Sequence, residues 1–156
     1  MSFWDTFVIG EEIALGSHTF TAEEIIRFAE KYDPQIFHLD PDAAAKSVLG
    51  GLCASGWHTA SVCMRLNVET RYARLREWIE AGNPMPKVGP SPGFRNMRWQ
   101  KPVYAGDTIS FSQTVTDKRP SARRAGWGVL SFSTSGRNQH GTEVFSFDGV
   151  AFQGLD

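Results

Sequence analysis

The hydrophobic and polar positions of this chain change period once, near residue 84. Before that point apolar side chains recur every three or four residues. Thr21-Ala22-Glu23-Glu24 forms a capping-box pattern, with Thr21 at N-cap and Glu24 at N3. It opens a helix whose apolar face is Ile25, Ile26, Phe28 and Ala29, and which must stop before Pro34. Asp40-Pro41 is a second start signal and predicts a short helix through 42–47, ended by Gly50-Gly51. The longest feature is a helix predicted over 54–81. Trp57, Ser61, Met64, Val68, Tyr72, Leu75 and Ile79 follow the 3.6-residue period and form its expected buried face. Its first half is small as well as apolar (Ala54, Ser55, Gly56, Ala60, Ser61), so other backbone can approach closely. At about 1.5 Å per residue such a helix is roughly 40 Å long.

From residue 84 the period drops to two. Pro84, Pro86, Gly89, Pro90, Pro92 and Gly93 make a rigid loop. Strands are predicted over 94–103, 108–116, 127–135 and 144–152, with a possible first strand over 12–20. In the second of these, Ile109, Phe111, Gln113 and Val115 alternate with Ser and Thr, as in a half-buried antiparallel strand. Gly106-Asp107, the 118–126 segment and 138–141 supply turns. Helices followed by consecutive strands predict an α+β domain, one long helix enclosed by an antiparallel sheet.

Composition narrows the class. A chain of 156 residues fits one domain, and 41% hydrophobic with 12% aromatic content is globular. Sixteen basic against seventeen acidic side chains give a net charge of −1, without a global attraction to nucleic acid or anionic membrane. No apolar run reaches the roughly 18 residues of a membrane span. The start, MSFWDTFVIGEE, lacks the basic and apolar regions of a signal peptide, so the expectation is a cytoplasmic protein. Cys53 and Cys63 are expected in the same helix, as reduced, packed thiols.

The candidate chemistry lies in YDPQIFHLDPDAA, residues 32–44. Asp33 before Pro34 and Asp40 before Pro41 both suit turn or helix caps. His38, between Phe37 and Leu39, suits a hydrogen-bonded core residue. Asp33 and His38 cannot share a helix face at five residues apart, yet an Asp-Pro turn can bring them together. A carboxylate and an imidazole holding one water form a general acid/base pair. Both readings stand at this point. His58 with His38 and Asp40 fits no zinc spacing, so no metal is expected. Ser55 and Ser61 lie outside a G-x-S-x-G elbow, and Gly89–Gly93 has no phosphate-loop lysine.

The pattern D-P-Q-x-F-H-x-D-P, followed by A-S-G-W-H-T-A-S and later by S-P-G-F-R-N-M-R-W-Q-K-P-V-Y-A-G-D-T-I, resembles the MaoC-like dehydratases. These are relatives of the (R)-specific enoyl-CoA hydratases with the hot-dog fold, a long central helix wrapped by a bent antiparallel sheet. The match runs from about residue 21 to 115. The resemblance implies that Asp33 and His38 are the hydration dyad, adding water to a trans-2-enoyl thioester or removing it from a 3-hydroxyacyl thioester. It implies an oxyanion-binding backbone N–H at Gly56, where a helix N-terminus also places free donors. Relatives often carry His-Gly-Met where this chain has Ser55-Gly56-Trp57. Trp57 either reshapes the acyl pocket or packs on the sheet as a core aromatic.

Ser55, Trp57 and Arg95 are further candidates for substrate contact. Lys118, Arg119, Arg123 and Arg124 form a basic turn, either a solvated hairpin tip or a contact for coenzyme A phosphates or an acidic carrier protein. No cofactor is expected beyond the thioester carrier, coenzyme A or acyl carrier protein. Edge strands and an open helix flank predict at least a homodimer with sites at the interface. A hot-dog thioesterase and a non-catalytic acyl-thioester-binding module remain as alternatives.

Overall fold

A computed structural model describes residues 1–156. After a 3₁₀ turn at Phe3–Thr6 come β1 (Glu12–Thr19), α1 (Ala22–Tyr32), α2 (Ile36–Leu39), α3 (Pro41–Ala45) and α4 (Gly56–Glu80). Then follow β2 (Phe94–Arg98), β3 (Thr108–Pro120), β4 (Trp127–Arg137) and β5 (Glu143–Gly154). The five strands form one antiparallel sheet in the order β1-β3-β4-β5-β2. The period change near residue 84 therefore marks the passage from the helices to the last four strands of an α+β fold.

The start signals act as their chemistry requires. Thr21 Oγ1 accepts a hydrogen bond from the Glu24 N–H. The reciprocal half of the capping box does not form, because the Glu24 carboxylate turns to His18, its Oε1 2.5 Å from His18 Nε2. Asp40 Oδ1 accepts from the N–H groups of Asp42 and Ala43, with Pro41 at N1 of α3. Asp40 is thus a helix cap.

α4 crosses the sheet with the unexpected face inward. Its buried residues are His58, Thr59, Val62, Cys63, Leu66 and Leu75. Val62, Cys63 and Leu66 pack with Leu15, Ile109, Phe111, Val144 and Phe145 in the main core. Each Val, Leu, Ile or Phe side chain among them, fully buried, contributes about 1.5–3 kcal/mol. Of the stripe expected to be buried, only Leu75 is. Trp57 is 54% exposed, Met64 48%, Val68 40%, Tyr72 60% and Ile79 41%. The helix is apolar on two sides, and the close-fitting sheet takes the smaller one. At Gly16, where β1 bulges, φ is +109°, and the strand passes directly over Leu66. A side chain with a Cβ is strained in that backbone conformation.

Two further segments depart from expectation. The strand predicted over 94–103 ends at Arg98, and its last tie to the sheet is Gln100 N–H donating to Val144 O of β5. Residues beyond it turn toward the chain before α4, where Ala54 N–H donates to Val103 O and Ala105 N–H to Leu52 O. Pro102 lacks the donor that a continued ladder would need. The proline-rich segment runs beside β5, with hydrogen bonds from Gly89 N–H to Phe152 O, Phe152 N–H to Pro90 O and Gly154 N–H to Lys87 O. Cys53 lies before α4, bridged to Tyr104, and not in the helix with Cys63. Both thiols are free and buried, and burial pushes Cys53 up to about 11 and Cys63 to about 12. Thiols held so high are poor nucleophiles near neutral pH.

Candidate active site

Pro34 stops α1 at Tyr32 and leaves Asp33 as its C-cap, with φ −153° and ψ 68°. The chain then re-enters a single turn, α2, that carries His38 back toward Asp33. His38 Nε2 lies 3.5 Å from Asp33 Oδ2, with both side chains largely buried. The Asp-Pro turn thus brings together two residues that a continuous helix would hold apart.

Each member is held from behind. His38 Nδ1 is 2.6 Å from the Cys53 carbonyl oxygen, which can only accept. In the neutral ring the proton therefore sits on Nδ1, and the Nε2 lone pair faces Asp33. Asp33 Oδ1 accepts from Gln35 Nε2 at 2.7 Å, and Oδ2 accepts from Ser55 Oγ at 2.6 Å. No backbone N–H reaches the carboxylate, so it is not the turn cap that its position before proline allows. Burial raises the Asp33 pKa, but the hydrogen bonds from Ser55 and Gln35, with the nearby His38, outweigh it and hold the carboxyl below its ordinary value. Asp33 is therefore ionised at neutral pH.

Ser55 serves two elements at once. It is the N-cap of α4, its Oγ accepting from Trp57 N–H at 3.3 Å while donating to Asp33. It is fully buried, holds the Asp33 carboxylate and does not line the cleft beside it. Gly56, next along, is the first residue of α4. Its N–H donates to no protein acceptor, as expected at a helix start. Its carbonyl accepts from Trp99 Nε1 at 2.8 Å. The indole lies so close that a Cβ on Gly56 would overlap it.

Asp33, His38, Gly56, Trp57 and Trp99 line one cleft of about 420 Å³, together with Leu49, Gln100, Lys101 and Val103 among others. Trp57 and Trp99 meet edge to face, ring centroids 5.4 Å apart. With more than half of its surface exposed, Trp57 is a wall of the cleft and not a core aromatic. The fold does not bring the remaining candidates here. Arg95 is exposed on β2, paired in register with Asp148. Arg119, Arg123 and Arg124 sit around the β3–β4 turn. Arg119 lies 3.8 Å from Asp117, and Arg124 lies over the Phe152 ring at 5.5 Å. None of the four lines the cleft of its own chain.

Sequence reasoning missed Gln35, the Cys53 carbonyl and Trp99. Gln35 was accessible from D-P-Q, since a polar side chain two residues past an Asp can reach back to it. The other two come from segments that only the fold brings close.

Beside the cleft, His58 is buried in the first turn of α4 and stacks on Phe28 of α1, centroids 4.7 Å apart and planes 9° from parallel. Its Nε2 is 3.6 Å from Glu24 Oε1, and its Nδ1 has no partner. Burial is the main reason its pKa is lowered. Glu24 opposes that shift, and His18 and Arg27 add to it. Between the ordinary value of 6.5 and the lower folded value, the unfolded chain binds a proton that the folded chain does not. Stability present above about pH 6.5 is therefore lost as pH falls. The melting temperature of the wild type should drop over that window more steeply than that of His58→Gln. Parallel melting curves against pH for the two proteins would contradict this.

Comparison with known proteins places this architecture in a class. Residues 6–131 match the family described as "MaoC like domain". The chain belongs to that family, and its fold is the hot-dog fold. It is 31% identical over 141 residues to the uncharacterized protein YdeM of Bacillus subtilis (strain 168), covering 90% of this chain and 91% of that protein. A crystal structure of a MaoC-like dehydratase from Rhodospirillum rubrum superposes with a TM-score of 0.81 at 29% identity, over 99% of this chain and 97% of that one. The (R)-hydratase from A. caviae involved in PHA biosynthesis shares the fold, with a TM-score of 0.65 at 21% identity over 94% and 96% of the two chains. No helix of this chain is long and apolar enough to cross a membrane.

Proposed function

We propose that the protein is a hydratase/dehydratase that interconverts a trans-2-enoyl thioester and a 3-hydroxyacyl thioester. The observation that carries this reading is the 3.5 Å gap between Asp33 Oδ2 and His38 Nε2, both lining the cleft with Gly56. A water at that gap donates one hydrogen to each acceptor. As its oxygen bonds to Cβ of the substrate, the dyad takes one proton from the water and returns one to Cα. Its net protonation is the same before and after. The thioester oxygen gathers negative charge during this step, and the uncommitted N–H of Gly56, at the positive end of a helix 25 residues long, is placed to donate to it. Dehydration is the reverse.

The carrier is coenzyme A or an acyl carrier protein, and no other cofactor takes part. The exposed stripe of α4, with the outer edges of β1 and β2, favours a homodimer whose second copy covers the cleft. A cytoplasmic setting, where these thioesters are available, fits the reading.

The test follows loss of enoyl-thioester absorbance across a panel of acyl-CoA substrates, with protein whose mass is measured by light scattering. Turnover by a dimer is expected. Thiol release without hydration would assign a thioesterase, and binding without either reaction would assign a non-catalytic module. A monomer mass at micromolar concentration would overturn the dimer.

A further inference from the structure

Midway along α4, a second cavity of about 320 Å³ lies between the helix and the sheet. It shares no lining residue with the Asp33 cleft. Leu15, Met64, Val68, Phe132, Phe147 and Val150 give it apolar walls. Two arginines of α4 also line it, and their surroundings differ. Arg74 donates to the Thr6 carbonyl at 3.1 Å, lies 4.0 Å from Glu11 Oε2, and covers the Phe7 ring at 4.9 Å. Arg71 makes one hydrogen bond, from Nη2 to Gln153 Oε1 at 3.1 Å, and no ion pair.

A guanidinium offers five N–H donors in a planar fork that matches a carboxylate at two points. Holding it partly desolvated without a counter-charge is unfavourable, and burial accordingly lowers the Arg71 pKa. The Gln153 side chain cannot meet this need. It is fully buried, carries no charge, and donates its own Nε2 to the Lys87 carbonyl. An apolar chamber of ligand size with one unmatched cationic fork is complementary to an anion on an apolar stem.

We propose that this cavity binds a carboxylate carried on an apolar chain, with Arg71 gripping the carboxylate and the Leu15, Val68 and Phe147 walls enclosing the chain. Two sources share this chemistry: a free fatty acid, and an acyl group ending in a carboxylate. The second rests on the thioester reading above; the first does not.

The experiment has two arms on the intact protein. In the first, melting temperature is followed against decanoate and against decanol. Decanoate should raise it with concentration by mass action, decanol much less, and Arg71→Leu should remove the difference. Should Arg71→Leu fold poorly, Val68→Trp narrows the chamber while keeping Arg71, and it should lose the decanoate response. In the second arm, kcat/KM is compared for an enoyl-CoA ending in a carboxylate and for its methyl-ended analogue. A preference of about 10-fold or more for the carboxylate, lost in Arg71→Leu, assigns the site to the substrate. A response in the first arm alone assigns it to a free acid. Equal shifts with acid and alcohol, together with equal handling of the two thioesters, overturn the proposal. If no thioester is hydrated, the reading of the Asp33 cleft fails and the decanoate arm still decides this site.

Discussion

Asp33→Asn should lower kcat for enoyl-thioester hydration by at least about 10²-fold while leaving the melting temperature close to wild type. General acid/base groups contribute roughly 10²- to 10⁴-fold. The substitution is conservative for structure, because an Asn oxygen can still accept from Ser55 Oγ, which now donates to Asp33 Oδ2 at 2.6 Å. What it removes is the charge, which the bonds from Ser55 and Gln35 keep in place. His38→Ala should cost a similar factor, since it deletes the nitrogen 3.5 Å from the carboxylate. The double variant should be little slower than either single one, because groups handling one water act as a unit. Steady-state kinetics on the best substrate of the panel, with thermal melts of all three variants, check this. Wild-type turnover in either single variant would reduce the Asp-Pro turn to a structural element.

Gly56→Ala should be nearly as damaging, by a different route. The added methyl has no room, since it would overlap the Trp99 indole that donates to the Gly56 carbonyl. Either the indole leaves or the first turn of α4 shifts. Overpacking of this kind costs about 1–3 kcal/mol. A displacement of about 1 Å at the start of α4 would move the Gly56 N–H and the Ser55 hydroxyl together, and misplacement on that scale can cost about 10²-fold in rate. Trp99→Leu should restore much of the stability in the Gly56→Ala background, a strong non-additivity between residues in contact. If Gly56→Ala melts and turns over like wild type, the close approach of Trp99 does not constrain the site.

The local elements were legible because local chemistry sets them. Thr21, Pro34, Asp40-Pro41 and the Gly56 region delimit helices whose bounds lie within a few residues of expectation. The alternation at Ile109, Phe111, Gln113 and Val115 gave β3 and its buried face. The inward face of α4 was not legible, because Trp57, Met64, Val68 and Tyr72 form as regular a stripe as Thr59, Val62, Cys63 and Leu66. Periodicity says that a face is apolar, not which surface will cover it. The strand over 94–103 was overextended for a related reason. Trp99 and Val103 are as apolar as strand residues, yet the ladder stops at Arg98 and Val103 pairs with the chain before α4. At the cleft, the D-P-Q-x-F-H pattern located Asp33 and His38. Ser55 was placed against substrate because a hydroxyl in sequence does not declare its partner, and the carboxylate that takes it lies 22 residues earlier.

That short separation has a consequence for how such a site can change. Asp33, Gln35, His38, the Cys53 carbonyl, Ser55 and Gly56 come from one stretch of 24 residues, closed by hydrogen bonds spanning at most 22 positions. Trp99 arrives from 43 residues further along the chain, through its bond to Gly56. Asp33, His38 and the groups that hold them thus form a nearly local module, whereas one wall of the cleft is added by a distant segment. Local contacts are cheap in loop-closure entropy and tend to form readily. Variation at Trp99 and its neighbours can therefore reshape the cleft, while the module around Asp33 and His38 is inherited whole.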